Sequence, residues 1–222
     1  MKKIIFSKSS IERKDEYKII TRIYEEDGKK FVEKCAQNAK AVEHVGRMVK
    51  ISENSPYLMD GVKLVPCTSL APGRVVFPYI EGVRFDKKID EHVKQKQWDE
   101  VWKDVSLLKD IIFQVEGKAE FKSTPEFERI FGKYPQLEGY EAAASVNLDM
   151  VAANIILADS IYVLDYEWNF EFLVPLKFIL YRSIFLNGTL NVIPQEKREK
   201  LMQIAEITEE GFLLDEDSSR KW

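Results

Sequence analysis

The chain has 222 residues, 45% of them apolar and 32% charged. That is the balance of a soluble globular protein with enough chain to bury a core, not of a disordered segment. A formal net charge of −4 excludes broad non-specific nucleic-acid binding, which needs a basic surface to displace counterions.

The opening stretch, Met1 to Phe6, turns polar too early for a signal peptide. Glu16 to Tyr24 and Lys29 to Ala36 are β-rich runs separated by Glu25-Glu26-Asp27-Gly28, and Asp-Gly between such runs predicts a hairpin. From Gln37 to Lys50 the period changes. Ala41, Val45 and Met48 share one face with Val42 and Val49 beside them, which predicts a short amphipathic helix. Ser55-Pro56 closes that segment. Two further strands are expected over Val62 to Pro66 and Arg74 to Ile80, joined by a loop containing Pro72-Gly73. The order predicts an antiparallel sheet with one helix packed across it.

After Gly82 the character shifts. Ile89 to Val115 reads as one long helical stretch, with Trp98, Val101, Trp102, Val105, Leu108 and Ile112 at helical spacing. Trp98 and Trp102 read as core, as do Phe170, Phe172 and Phe178. A loop at Thr124-Pro125 precedes a short helix from Glu126. Ile155 to Leu157 and Ile161 to Leu164 form a second hairpin that turns at Asp159-Ser160. Phe172 to Phe185 is the most apolar stretch, interrupted by Pro175, Lys177 and Arg182. It is too short and too charged to span a bilayer, so no transmembrane segment is expected. Leu176 to Leu186 reads as a buried helix and Gln195 to Ile207 as an amphipathic one, and the charged tail from Asp215 to Lys221 is expected to fray. The expected division is residues 1–82 and 83–222.

Cys35 and Cys67 are too few for a disulfide framework, lack metal-ligand partners nearby, and point to a reducing, cytoplasmic compartment. They read as small core residues. His44 and His92 lie far apart without partner ligands, which argues against zinc.

The chemistry-bearing stretch runs from Asn147-Leu148-Asp149 through Asn154 to Asp165-Tyr166-Glu167. An aspartate, an asparagine five residues on, a hairpin, and a second aspartate at its end make a phosphotransfer layout. The first aspartate orients or deprotonates a hydroxyl, while the asparagine and second aspartate hold magnesium. Taken alone, Asp149 with Asn154 also fits a capped turn with ordinary loop hydrogen bonds. The hairpin and Asp165 are what raise the chemical reading.

At these residues the chain resembles the compact kinase-like domains of bacterial polysaccharide biosynthesis loci, related to the kinase part of O-antigen chain-terminating methyltransferase–kinases. The resemblance includes Arg13, Tyr17-Lys18-Ile19-Ile20-Thr21, Lys34, Ala41-Val42-Glu43-His44-Val45 and Pro78-Tyr79-Ile80-Glu81-Gly82. It continues through Thr124-Pro125-Glu126-Phe127, Phe131-Gly132, Asp165-Tyr166-Glu167-Trp168 and Leu180-Tyr181-Arg182. More distantly, the Asp–Asn–Asp triplet is similar to aminoglycoside and choline kinases.

The resemblance implies an α+β, bilobal protein-kinase-like fold, with a small N-terminal antiparallel-sheet lobe and a mostly helical C-terminal lobe. It implies ATP and magnesium as cofactors, Asp149 as catalytic residue, and Asn154 and Asp165 as metal ligands. Lys34 would contact the α- and β-phosphates; alone it also reads as a solvated hairpin lysine beside Lys29 and Lys30. Glu43, or else Glu53, would be its ion-pair partner, and Tyr79 and Ile80 would meet the nucleotide at the lobe junction. Trp168 either lines the acceptor side or packs beneath it.

Two departures stand out. Ser7-Lys8-Ser9-Ser10-Ile11-Glu12-Arg13 replaces a glycine-rich phosphate loop, and Asn147 stands where most kinases have histidine. The implied activity is phosphoryl transfer to a hydroxyl of a saccharide or glycolipid in envelope polysaccharide synthesis. Methyltransferase or glycosyltransferase domains are candidate partners, and the location would be cytoplasmic or peripheral to the inner membrane face. The alternatives are a catalytically weak kinase-like scaffold and a small-molecule kinase of the choline or aminoglycoside type.

Overall fold

The computed structural model describes residues 2–186 and 193–206. The chain divides into two compact units, one of residues 1–55 with 64–81 and one of residues 56–63 with 82–221. The tail from Asp215 and the last residue of the expected C-terminal helix, Ile207, lie outside the described residues.

The first unit is an antiparallel sheet crossed by one helix. Strand β1 (Lys3–Ser9) pairs with β2 (Ile19–Glu26), and β2 pairs with β3 (Lys29–Ala36). The β2–β3 turn is as tight as a hairpin allows, because Glu26 pairs with Lys29 and only Asp27 and Gly28 lie between them. Both turn residues take positive φ, 51° and 74°, as a two-residue turn that matches the strand twist requires. The second strand starts at Ile19, three residues later than the β-rich run, because Asp15–Tyr17 forms a 3-10 turn.

Helix α1 (Val42–Glu53) follows a 3-10 turn at Ala39–Ala41, capped by the Asn38 side chain accepting from Lys40 N. Its buried residues are His44, Val45 and Met48, the 3–4 spacing of one helical face, and it packs across the sheet on β3 and the two strands that follow it in the sheet. Val42 and Val49 are only half-buried.

Strand β4 (Val62–Leu64) corrects the sequence reading. It pairs in a different sheet, because the chain from residue 56 to 63 belongs to the second unit. Its place in the first sheet is taken by β5 (Thr68–Ala71), expected as loop, which pairs with β6 (Arg74–Pro78). All four β5 residues are exposed at a sheet edge, so alternation leaves no mark in the sequence. The strand order is β1-β2-β3-β6-β5.

In the second unit, β7 (Val83–Arg84) leads into α2 (Phe85–Lys94) and α3 (Trp98–Phe113). The single long helix expected here is two. Lys96 adopts φ 56° between them, and the Gln95-Lys96-Gln97 break carries neither glycine nor proline to announce it. The buried face of α3 is Val101, Asp104, Val105, Leu108, Ile111 and Ile112. Trp98 and Trp102 are half-buried and stack on each other at 6.0 Å, so they flank the core.

Beyond these lie β8 (Ala119–Glu120), α4 (Pro125–Phe131), β9 (Glu141–Ala143), β10 (Ile155–Leu157), β11 (Ile161–Val163) and β12 (Val174–Pro175). Helix α4 starts with proline at its first position, and Thr124 Oγ1 accepts from Phe127 N, the expected N-cap chemistry. The predicted hairpin is present as β10–β11 in a sheet ordered β4-β11-β10-β7. Gly82 stands where β7 approaches that hairpin: a Cβ there would meet the Leu157 carbonyl at 2.6 Å.

Helix α5 (Leu176–Tyr181) is buried and continues as a π-helical turn, Arg182–Leu186. Helix α6 (Gln195–Ala205) packs on α3. Phe127, Phe131, Phe170, Phe172 and Phe178 form one ring cluster with centroids 4.7–6.3 Å apart. Among the described residues, no helix is long and apolar enough to cross a membrane.

Candidate active site

Asp149, Asn154 and Asp165 come together at one end of the β10–β11 hairpin. Two segments are first stitched side by side. Ser145 N donates to Phe170 O at 2.8 Å, Leu148 N donates to Trp168 O at 2.9 Å, and Asn169 Nδ2 donates to Ser145 O at 2.6 Å. These bonds fix the stretch before Asp149 against the stretch after Asp165. Asn147 is buried, and its Oδ1 accepts from Asp149 N at 3.1 Å. Asn147 thus has a structural task here.

From Asp149 the loop closes on itself. The Asp149 carbonyl accepts from Val151 N at 2.8 Å and from Asn154 Nδ2 at 3.0 Å. Asn154 N donates to Val151 O, and the Asn154 carbonyl accepts from Leu164 N, both at 2.8 Å. The last bond ties Asn154 to the residue directly before Asp165. Because only the amide nitrogen can donate to a carbonyl, Asn154 Oδ1 is left as an acceptor.

Asp165 itself has φ 51°, a left-handed conformation that aspartate tolerates better than most residues but rarely takes. The bend leaves Asp165 exposed and sends Tyr166, Glu167 and Trp168 inward, at 2%, 5% and 6% exposure. Trp168 therefore packs beneath the loop.

The electrostatics are acidic with one counter-charge. Burial pushes the Asp149 carboxyl above its ordinary range; the Arg182 guanidinium, with Nη2 at 3.4 Å from Oδ1, pulls it back, and Asp165 and Glu167 push it further up.

Asn154 Oδ1 and the Asp165 carboxylate are hard oxygen donors at adjoining positions, the chemistry magnesium prefers when it keeps several waters. The residues fit that ion. Among the described residues there is no group of three or more His, Cys, Asp or Glu placed to hold a metal.

The remaining predicted residues lie in the first unit. Lys34 sits on β3, paired in register with Thr21 and Val75, and is 6% exposed. Glu43 is in the first turn of α1 and exposed, and Glu53 is the last residue of that helix and also exposed. Tyr79 N donates to Lys30 O at 3.2 Å, the Lys30 ammonium lies 5.4 Å from the Tyr79 ring centroid, and Ile80 is half-buried. Ser7, Lys8 and Ser9 belong to β1, so the turn without glycines begins only at Ser10.

Arg182 and Glu167 stand among the residues that carry the resemblance, but the sequence assigns neither a role at the site. The signal for Arg182 was present: it is a lone arginine in the most apolar stretch of the chain. It reads there as an argument against a membrane span, not as a partner for an acid 33 residues away.

No protein-family profile matches the chain, and no curated protein matches it in sequence. Solved structures do match. The chain is similar to APH(2")-IIa in its gentamicin complex, with a TM-score of 0.56 at 12% identity over 99% of this chain and 80% of that one. A ternary complex of APH(2")-IIa with streptomycin and ATP matches at 0.50 and 12% over 98% and 81%. The choline kinase LicA from Streptococcus pneumoniae matches at 0.48 and 14% over 90% and 75%. Identity this low speaks for the fold alone. The chain has a protein-kinase-like α+β fold, with the antiparallel sheet and its crossing helix in one unit and the loop–hairpin layout in the other.

Proposed function

We propose that the chain is an ATP-dependent phosphotransferase acting on a hydroxyl of a saccharide or glycolipid. The observation that carries the reading is the loop lock: Asn154 Nδ2 on the Asp149 carbonyl, with Leu164 N on the Asn154 carbonyl. This lock leaves the Asn154 amide oxygen as an acceptor, ties Asn154 to the residue directly before Asp165, and holds a carboxylate five residues upstream. That arrangement does what phosphoryl transfer asks of a protein, namely positioning and charge neutralisation.

In the proposed reaction the acceptor hydroxyl oxygen forms a bond to the γ-phosphorus. The bond between that phosphorus and the β,γ-bridging oxygen breaks, ADP leaves with the electron pair, and Asp149 takes the hydroxyl proton. Asn154 and Asp165 would hold magnesium, which when bound neutralises charge on the β- and γ-phosphates. Lys34 is assigned to the α- and β-phosphates, with Glu43 as its partner, and Tyr79 and Ile80 to the nucleotide. Gentamicin and streptomycin, bound in the similar structures, are hydroxylated amino sugars. A hydroxyl is the acceptor group common to the small-molecule and polysaccharide readings.

One observation favours a second reading, a kinase-like scaffold. Strand β1 runs through Ser9, and no glycine occurs between Lys3 and Glu26 to let backbone N–H groups close over phosphates. Calorimetry with magnesium-ATP separates the two. Saturable, magnesium-dependent binding followed by ADP release with a hydroxylated acceptor supports the enzyme; absence of binding supports the scaffold.

A further inference from the structure

Asp149 is gripped from a side that contributes nothing to the Asp–Asn–Asp layout. Where α5 passes into its π-helical turn, two consecutive residues reach two consecutive residues of the loop. Arg182 Nη2 stands 3.4 Å from Asp149 Oδ1, and the Ser183 hydroxyl is shared between the Met150 carbonyl and the Ile179 carbonyl one turn back. Arg182 is 8% and Ser183 2% exposed. Single π-helical turns inside helices recur at functional sites because they change which side chains share a face.

The loop needs this outside partner. Between Asp149 and Asn154 it reads Met150-Val151-Ala152-Ala153, with no cation of its own, while Asp165 and Glu167 are close enough to repel the Asp149 charge. A guanidinium this deeply buried persists only against a counter-charge. Among the described residues, Asp149 is the one acid ion-paired with Arg182. The Arg182 ring contact is with Phe178, one turn earlier on the same helix, at 6.0 Å, so the side chain is braced along α5 as well as paired.

We propose that Arg182 is a positioning residue for the acceptor base: held by the π-helical turn, it fixes the Asp149 carboxylate through Oδ1 and leaves Oδ2 to take the acceptor proton. The assignment rests on the phosphotransferase reading, in which Asp149 is that base. Without Arg182 the Asp149 carboxylate loses the ion pair that orients it through Oδ1, and a lysine restores the charge but not the fixed fork of the guanidinium.

The test uses the full chain and two readouts. Magnesium-ATP affinity is measured by calorimetry, and magnesium-dependent ADP release with a hydroxylated acceptor gives kcat. In Arg182→Met kcat should fall about 10²-fold, the usual cost of a misplaced catalytic group, while magnesium-ATP affinity stays at the wild-type value, because Asn154 and Asp165 are untouched. Arg182→Lys should recover part of the loss. Arg182→Gln, neutral but able to hydrogen-bond, carries the same expectation should the methionine variant fail to fold. An unchanged kcat in whichever neutral variant folds overturns the proposal and leaves the phosphotransferase reading standing. A wild-type chain that does not bind magnesium-ATP overturns that reading, and with it the role proposed for Arg182.

Discussion

Asn154 and Asp149 are locked together by a side chain-to-backbone bond: Asn154 Nδ2 donates to the Asp149 carbonyl at 3.0 Å, a carbonyl that Val151 N also reaches at 2.8 Å. Both lone pairs of that oxygen are thereby used. Asn154→Asp keeps an oxygen ligand for a metal but sets a carboxylate against the same carbonyl. We expect it to lower folding stability by about 1–3 kcal/mol, the usual cost of stranding a partly buried polar partner, with magnesium binding retained. Urea denaturation checks the first part and a magnesium titration the second. Unchanged stability would mean the lock does not hold the loop.

The two aspartates should fail differently. Asp149→Asn is expected to cost roughly 10²–10⁴-fold in turnover, the range for general acid–base groups, and to leave nucleotide affinity nearly intact. Asp165→Asn should weaken magnesium-nucleotide binding itself, because it removes a proposed ligand. Equal loss of nucleotide binding in both variants would sink the division of roles.

Much of this site was legible in the sequence because it is local. Asp149, Asn154 and Asp165 lie within one loop and one hairpin, and the apolar runs with Asp159-Ser160 between them mark that hairpin directly. Arg182 was not, since its pairing spans 33 residues and depends on a π-helical turn that no periodicity announces. The fold divides similarly. The Asp27-Gly28 hairpin and the buried face of α1 follow from turn chemistry and period. The break at Lys96 and the fully exposed edge strand β5 carry no such signal, and the destination of β4 is set by long-range pairing.

The first unit holds a fully buried carboxylate, Glu33 on β3. Lys2 reaches it at 2.8 Å and Arg74 at 2.6 Å, with Arg22 at 3.3 Å. Burial pushes its pKa up, but the hydrogen bonds and charges of Lys2 and Arg74 outweigh burial and hold it at about 2, against an ordinary 4.5. A depressed folded-state pKa contributes stability that is present above the unfolded value and is lost as pH falls towards the folded one. The Glu33 contribution should therefore be complete above about pH 4.5 and fade as pH falls to about 2. Glu33→Gln should be less stable than wild type at neutral pH, and the gap should close across that window. Urea midpoints at several pH values decide it; a gap independent of pH would contradict the account.

In the second unit, Asp104 on α3 binds back to α2. Lys88 Nζ lies 2.6 Å and His92 Nδ1 2.7 Å from its two carboxylate oxygens, and the Asp104 side chain is 2% exposed. Breaking a buried pair costs about 3–5 kcal/mol; with Lys88 37% exposed, solvent screens part of that. Asp104→Ala should destabilise by about 1–3 kcal/mol, read from chemical denaturation. A change within about 0.5 kcal/mol, the range of an ordinary surface substitution, would show that the cluster does not hold α2 on α3.

Binding of magnesium-ATP is the most direct test of the central claim, and a thermal melt reads it without knowledge of the acceptor. Ligand at a hundred times its Kd stabilises the folded chain by roughly 2.7 kcal/mol. For a domain of this size that raises the Tm by about 5–10 °C. The rise should require magnesium and should largely vanish in Asp165→Asn, while Asp149→Asn keeps it. No shift in the wild-type chain at millimolar magnesium-ATP, with calorimetry confirming no binding, would contradict the phosphotransferase account.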